Sequence, residues 1–537
     1  MKNALNLLAA AAIMIAAQGV LRAGEFENAV KDLERSAAGY KSVPPVLLPV
    51  AAPAPAEGGG QFKMSADEEG KLFAMTKAEL AAATPDQKVE MVRTLIRHSV
   101  PTEAAYNGLS AQEYRERTIA RILSSAPDAA SFDRIYYRVD PVKLRHSLTA
   151  MGRDRILALA KAAGSSVAPG DWSGLDRYIE TVTDARPPSR DLVKFLIDGP
   201  SVMSEGGKAL IAAKSSIHIE IFQLQADEIG QGLAKLLSEK AKAGVKVRVL
   251  IDEYGSKLSD DPALAEMIAS MRAGGIAVLT QKPSFLKDHL DHRKVVVIDG
   301  NVGFTGGMNI GRLYQVDWHD QQTLLIGPAV SELQRAFTAS WYVADGELIS
   351  SMELFPVTQD VPAGAETRVV VHAGHQDQNI KAVYIRAIGT AQKSIKIANP
   401  YFTDEDVVLA LCKAAWRGVK VELVLPQEND QAIVRRASRA NYPKLVKAGV
   451  LVYEYKGRMA HEKVAVMDGR WSTLGSSNLD ARSFDNNDEL NLVVTDPGVA
   501  ADIETRLFGA DLLNSELMNN YSPGVLDQMA HQVSGML

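Results

Sequence analysis

Apolar and polar residues alternate along Ile217-His218-Ile219-Glu220-Ile221-Phe222, the period of a strand. A helical stretch follows from about Gly230 to Ala243. Gly244 then leads into Val245-Lys246-Val247-Arg248-Val249-Leu250-Ile251, another strand. Strand, helix, strand predicts a parallel-sheet unit. The unit recurs downstream as Ile395-Lys396-Ile397, a helix through Leu409 to Trp416, then Gly418 and Val419-Lys420-Val421-Glu422-Leu423-Val424. Upstream the spacing is helical instead. Leu80, Val89, Met91, Val92, Leu95 and Ile96 recur at helical intervals, as do Ile119, Ile122 and Leu123, and Ile156, Leu157 and Leu159. Thr84-Pro85-Asp86 supplies a helix start, and Ala185-Arg186-Pro187-Pro188 breaks the pattern.

Repetition organises the second part of the chain. Gly244 and Gly418 lie 174 residues apart, and so do Gly275-Ile276-Ala277-Val278 and Gly449-Val450-Leu451-Val452. His292 and His461 lie 169 apart, as do Lys294 and Lys463, Asp299 and Asp468, Gly306 and Gly475, and Asn309 and Asn478. The acids Asp320 and Glu489 share that offset. A fixed period marks duplication. The expected fold class is α/β: two homologous halves, residues 190–350 and 365–537, packed about a pseudo-twofold axis and preceded by a small all-α domain over 61–184.

The N-terminus adds an address. Met1-Lys2-Asn3 precedes an apolar run from Ala4 to Ala17 broken only by Asn6, with Arg22-Ala23 after it. This reads as a secretory signal over 1–23, with an uncleaved anchor as the alternative. The run is short of the roughly 20 apolar residues a bilayer span needs. Residues 24–60, with five prolines between Ser42 and Gly60 and the run Gly58-Gly59-Gly60, read as a linker. The mature protein is expected to be exported, periplasmic or secreted, with peripheral or N-terminally anchored membrane association.

Composition narrows the function. Of 537 residues, 46% are hydrophobic and 23% charged, which excludes fibrous and wholly disordered classes. Lys+Arg 59 against Asp+Glu 65 leaves a formal charge of −6, which argues against a dedicated nucleic-acid binder. The sole cysteine, Cys412, rules out an intramolecular disulfide and a cysteine-based zinc site, and its apolar neighbours read as core.

Chemistry concentrates in the repeated motif. The first copy reads His292-Arg293-Lys294-Val295-Val296-Val297-Ile298-Asp299 and the second His461-Glu462-Lys463-Val464-Ala465-Val466-Met467-Asp468. Residues two apart on a strand share a face, so His and Lys point together and Asp closes the strand end. The following turns are Gly306-Gly307-Met308-Asn309 and Gly475-Ser476-Ser477-Asn478. Their glycines allow close backbone approach, and their amides, with Asn309 and Asn478, are candidate anion donors. Two His and two Lys on one cleft suit phosphoryl transfer. Ammonium groups neutralise phosphate oxygens, one imidazole attacks phosphorus and the other protonates the leaving oxygen. An acid beside each imidazole would hold its tautomer; Asp320 and Glu489 are the candidates, with Asp485 and Asp488 as rivals to Glu489. Asp299 and Asp468 belong to the motif and are given a supporting role at the strand end.

These stretches resemble the phospholipase D superfamily, whose signature is a duplicated His-x-Lys-x4-Asp motif. Within it the likeness is to bacterial cardiolipin synthases. It is carried by both motifs, by Gly303-Phe304-Thr305-Gly306-Gly307-Met308-Asn309-Ile310-Gly311, by Trp318-His319-Asp320, by Asn399-Pro400-Tyr401-Phe402, and by Gly475-Ser476-Ser477-Asn478-Leu479-Asp480 with Arg482-Ser483-Phe484. The resemblance implies α/β/α halves and a covalent phosphatidyl-histidine intermediate, with His292 as nucleophile and His461 as acid and base. It further implies catalytic roles for Lys294, Lys463, Asp299 and Asp468, and supporting roles for Asn309, Asn478, Asp320, Glu489, Gly307 and Ser476. The implied reaction is phosphatidyl transfer on a phospholipid at a membrane surface, with no metal, no other cofactor and no nucleic acid as partner.

Alternatives remain open. Export raises a secreted phospholipase D that forms phosphatidic acid. A nuclease of the same superfamily would draw on Arg435, Arg436 and Arg439, which otherwise read as a solvated helix face. A binding protein with a dead site is the non-enzyme reading. His289 and His319 lack histidine counterparts and read as bystanders or pocket lining, and Trp318 as a packed aromatic or a lipid entrance.

Overall fold

A computed structural model describes residues 168–532, apart from 184, 283–288, 345, 347–359 and 375–377. The expected signal (1–23) and linker (24–60) lie outside the described residues. So does the expected helical domain (61–184), except for its end, where Trp172–Val182 is a helix capped by the Asp171 carboxylate. That helix buries Leu175 and Ile179 in the core of the second half, and Trp172 stacks on Trp471 with ring centroids 6.3 Å apart. Among the described residues, no helix is long and apolar enough to cross a membrane.

The first half supplies strands β1 (Ser189–Ile197), β2 (Ser216–Ile221), β3 (Lys246–Asp252), β4 (Ala277–Gln281), β5 (Lys294–Ile298), β6 (Val302–Gly306) and β7 (Gln321–Ile326). The second supplies β8 (Ala365–His372), β9 (Ser394–Ala398), β10 (Lys420–Pro426), β11 (Leu451–Tyr455), β12 (Val464–Met467), β13 (Trp471–Gly475), β14 (Glu489–Thr495) and a short β15 (Ser515–Leu517). They hydrogen-bond in the order β15-β11-β10-β9-β12-β13-β14-β8-β1-β7-β6-β5-β2-β3-β4. Outward from the β8–β1 seam, each side repeats the other's neighbours. In both halves the two predicted units pair in parallel, β2 with β3 and β9 with β10, while the motif strands β5 and β12 run antiparallel to β2 and β9. The two-fold repeat of the α/β fold is thus explicit in the strand order.

Alternation on β2 does not produce a wet face. Every residue of β2 is buried. Its polar positions meet the helix Val330–Val343 instead, where His218 Nδ1 lies 2.9 Å from Gln334 Oε1 and the Ser340 hydroxyl donates to Glu220 at 2.6 Å. One apolar cluster joins the halves: Val295 and Val297 of β5 belong with Val464 and Val466 of β12, Leu490 and Leu492 of β14, and Phe508. Cys412 is buried in the second half's core.

Candidate active site

Each motif strand enters the site paired to the opposite half. The His292 amide donates to the Asp488 carbonyl at 2.9 Å, and the Asp488 amide to Leu290 at 2.8 Å. In the second copy the His461 amide donates to the His319 carbonyl at 2.7 Å, and the His319 amide to Met459 at 2.8 Å. The residue after each foreign partner is the candidate acid. The crossing therefore delivers Glu489, from the second half, to the imidazole of the first, and Asp320 to that of the second.

The side chains complete the exchange. His292 Nδ1 lies 2.9 and 3.1 Å from the two Glu489 oxygens. His461 Nδ1 lies 2.7 Å from Asp320 Oδ2. An ionised carboxylate only accepts, so Glu489, held below its ordinary value, fixes the proton on His292 Nδ1 and leaves Nε2 for chemistry, and Asp320 does the same for His461 in its ionised form. Glu489 is gripped further by the hydroxyls of Ser476 at 2.5 Å and Ser483 at 2.7 Å. Gly307 stands where the other half has Ser476. A Cβ there would lie 2.4 Å from Asp320 Oδ1, so the glycine makes room for the shorter acid. Lys294 and Lys463 each donate from Nζ to the carbonyl of the motif histidine two residues earlier.

Buried charge sets the protonation of the site. Burial, helped by Lys294 and against Glu489, lowers His292 to about 4. Burial and then Lys463 hold His461 well below the usual imidazole range. Burial brings Lys294 down to about 7, with Lys463 adding repulsion, and Lys463 down to about 8. Burial raises Asp320 to about 7. Burial opposes the charge of Glu489 as well. There His292, Lys294 and Ser476 more than offset it and keep the carboxylate below its ordinary value. His292 and Lys463, and His461 with both Lys294 and His292, act on one another electrostatically, so the four groups share one locality.

Aromatic rings wall the imidazoles. Phe222 meets His292 edge-on at 4.7 Å between centroids, and Trp318 lies 4.8 Å from His461. Trp318 is thus a packed aromatic at the site itself. Phe222 and Tyr314, the latter 5.8 Å from His461, escaped the sequence reading. Neither recurs as an aromatic at the 169-residue period, which removed the signal that found the acids.

Other motif residues are placed elsewhere. Asp299 and Asp468 lie at the far ends of β5 and β12, away from the imidazoles. The Asp299 carboxylate accepts from the amides of Lys214, Ser215 and Ser216, and that of Asp468 from Gln392, Lys393 and Ser394. Both residues also open a three-residue hairpin connection, in which they and their following glycines take positive φ, 50° and 67° in one half and 53° and 60° in the other. The strand-end role describes them; a direct catalytic role does not fit their position. The turn amides expected to bind an anion are also engaged: Gly307 donates to the Gln321 carbonyl and Ser476 to that of Leu490, both at 3.0 Å. Asn309 and Asn478 are buried at the site. Asn309 Oδ1 accepts from the Gln223 amide at 3.1 Å, and the Asn478 side-chain oxygen has no hydrogen-bond partner among the described residues.

A charge reversal links the halves beside the imidazoles. Arg293, between His292 and Lys294, is fully buried among Asp291 at 2.9 Å, Glu220 at 3.1 Å and Asp488 of the second half at 3.3 Å. Asp488, once a rival for the acid role, is committed there and to His289 at 3.1 Å; the other rival, Asp485, accepts from Gln378. In the second motif Glu462 takes the place of Arg293, and His319 takes that of Asp488. His319 is no bystander. Its ring bonds Asp198 at 2.7 Å and Asp511 at 3.0 Å, and against the cost of burial these acids and Glu462 hold it protonated, well above its usual range. His319, Glu462 and Asp511 offer three ligand atoms within 4.8 Å of one another and could hold a metal ion, although the imidazolium already supplies positive charge there. The three arginines considered for a nuclease each face an acid: Arg435 with Glu428, Arg436 with Asp527, and Arg439 with Glu454.

Comparison with known proteins agrees with this architecture. Residues 208–341 and 384–509 match the family model described as "Cardiolipin synthase, PLD-like domain". A cardiolipin synthase of Geobacillus kaustophilus is 39% identical over 313 residues, covering 55% of this chain and 61% of that protein. A probable cardiolipin synthase of Bacillus subtilis is 33% identical over 366 residues, covering 64% of this chain and 72% of the relative. The chain thus spans about three fifths of the first of these relatives. The crystal structure of a phosphatidylserine synthase from Haemophilus influenzae superposes with a TM-score of 0.52 at 14% identity, covering 67% of this chain and 98% of the other, which establishes a common fold.

Proposed function

From the premise that this chain belongs to the phospholipase D superfamily and is most like the bacterial cardiolipin synthases, we propose that it transfers a phosphatidyl group between alcohols through a phosphohistidine. The observation that carries the reading is the crossed pairing of each imidazole with the other half's acid, beside two buried lysines. The neutral Nε2 of His292 attacks phosphorus. The P–O bond to the departing alcohol breaks, and His461, protonated once the phosphodiester anion adds its charge, gives its proton to that oxygen. Neutral His461 then takes the proton of an incoming alcohol, whose oxygen attacks phosphorus and breaks the P–N bond. Glu489, ionised and held by two serines, favours His292 as nucleophile, because it stabilises the positive charge the phosphorylated ring acquires. The lysines offset the charge on the non-bridging oxygens.

A second phosphatidylglycerol is the acceptor that the resemblance favours, and the apolar run over Ala4–Ala17 supports work at a membrane. Incubating the purified protein with phosphatidylglycerol vesicles should yield cardiolipin and glycerol. Phosphatidic acid as the main product would replace transfer with hydrolysis, and no phospholipid turnover would remove the reading.

A further inference from the structure

The duplicated fold carries its own control. Ile217 of β2 pairs with Ile298 of β5, and Ile395 of β9 pairs with Met467 of β12, so the two isoleucines are equivalent. Eleven residues before each lies a position on the preceding helix. In the second half, in helix Asn379–Thr390, it is Tyr384, fully buried. In the first half, in helix Asp198–Ala212, it is Gly206. A second position tells the same story. Phe484 follows His461 by 23 residues and is fully buried; Gln315 follows His292 by 23. Tyr384 and Phe484 fill the second half together, with ring centroids 6.4 Å apart. In the first half the same place, bounded by Gly206 and Gln315, is a cavity of about 370 Å³.

Its lining is graded. Lys294 and Asn309 of the candidate active site, both buried, belong to it. The walls are aliphatic, among them Val202, Leu210, Ile221 and Leu233. Met203, 47% exposed, and Glu228 mark the outer rim. Two helices face the space with bare backbone: a Cβ added at Gly206, Gly207 or Gly232 meets nothing within 4 Å. Glycine is among the poorest helix formers, so three of them on cavity-facing turns work against their own helices. None has the positive φ that would demand glycine for the backbone's sake.

We infer that this cavity holds one acyl chain of the phospholipid whose phosphate lies between the two His–Lys pairs, so that the first half binds the lipid tail and the second, plugged by Tyr384 and Phe484, does not. The inference rests on the proposed phosphatidyl transfer. A slot with mostly aliphatic walls, lined also by the active-site residues Lys294 and Asn309 and open at a surface rim, matches an amphiphile with an anionic head and a long apolar tail. It also breaks the twofold symmetry of the site and gives the two histidines different neighbours.

The test restores the second half's residue. Gly206→Tyr, and independently Gly232→Leu on the facing helix Glu228–Lys242, should plug the slot. Turnover is measured on dihexanoyl- and dioleoyl-phosphatidylglycerol, the former too short to need the slot's full depth. Both variants should keep dihexanoyl turnover within about twofold of wild type, which also reports an intact fold, and lose roughly tenfold or more on the dioleoyl lipid. Equal losses on both lipids, or no loss on either, overturn the acyl-chain assignment and leave the phosphatidyl-transfer reading standing. No turnover of either lipid by the wild-type protein overturns both.

Discussion

In each motif histidine Nδ1 faces a carboxylate, so the other nitrogen, Nε2, is the one the proposed transfer uses. Glu489→Gln and Asp320→Asn should therefore lower kcat by about 10²- to 10⁴-fold with a smaller change in KM, because a neutral amide neither enforces the tautomer nor stabilises the charged ring; single-turnover kinetics with a soluble phosphodiester checks this. The lysines make a pH prediction. In the proposed transfer both must be charged to grip the phosphate, and burial brings Lys294 down to about 7 and Lys463 down to about 8. The value of kcat/KM should then fall as pH rises through 7 to 8, well below the usual lysine range of about 10. A profile flat to pH 9 would remove these ammonium groups from substrate binding. His292, Lys294, His461, Lys463 and both acids were legible because they repeat at one period. Phe222 and Tyr314 were not, because an aromatic wall needs no matching residue in the other copy, only an apolar surface of the right shape.

At the scale of elements, the four residues between Lys and Asp in the motif are the rest of a strand. The spacing places the aspartate at the opposite end from the chemistry, where it begins the hairpin turn and caps the corner before β2 or β9. Asp299→Ala should cost about 1–2 kcal/mol of stability by urea denaturation, with turnover per folded molecule nearly unchanged, and Asp299→Asn should recover part of it because asparagine tolerates the left-handed turn. Strands and helices were readable from alternation and from Gly244 and Gly418. That β2 is wet on neither face was not, since alternation cannot say whether a polar position meets water or, as Glu220 does, a serine and an arginine. The cavity was hidden for a related reason. The helix before β2 aligns with its counterpart at a spacing different from the 174 and 169 seen elsewhere, because the connecting loops differ in length, so Gly206 and Tyr384 become equivalent only through strand register.

In the molecule as a whole, the halves are joined by buried charges of opposite arrangement: a guanidinium among three carboxylates on one side, an imidazolium among three on the other. Arg293→Met would leave Glu220, Asp291 and Asp488 without their cation, and should lower the unfolding free energy by about 3–5 kcal/mol, read as a lower denaturant midpoint. The duplication was evident from subtraction of residue numbers, and the pseudo-twofold was an expectation built on it. Which half's acid serves which histidine was not, because equal offsets fit pairing within a half and pairing across halves equally well. The crossed arrangement has a consequence for synthesis. The group that orients the first imidazole lies 197 residues downstream of it, so a growing polypeptide that holds only the first half has an incomplete site, which is assembled once the second half has been made and has closed on the first.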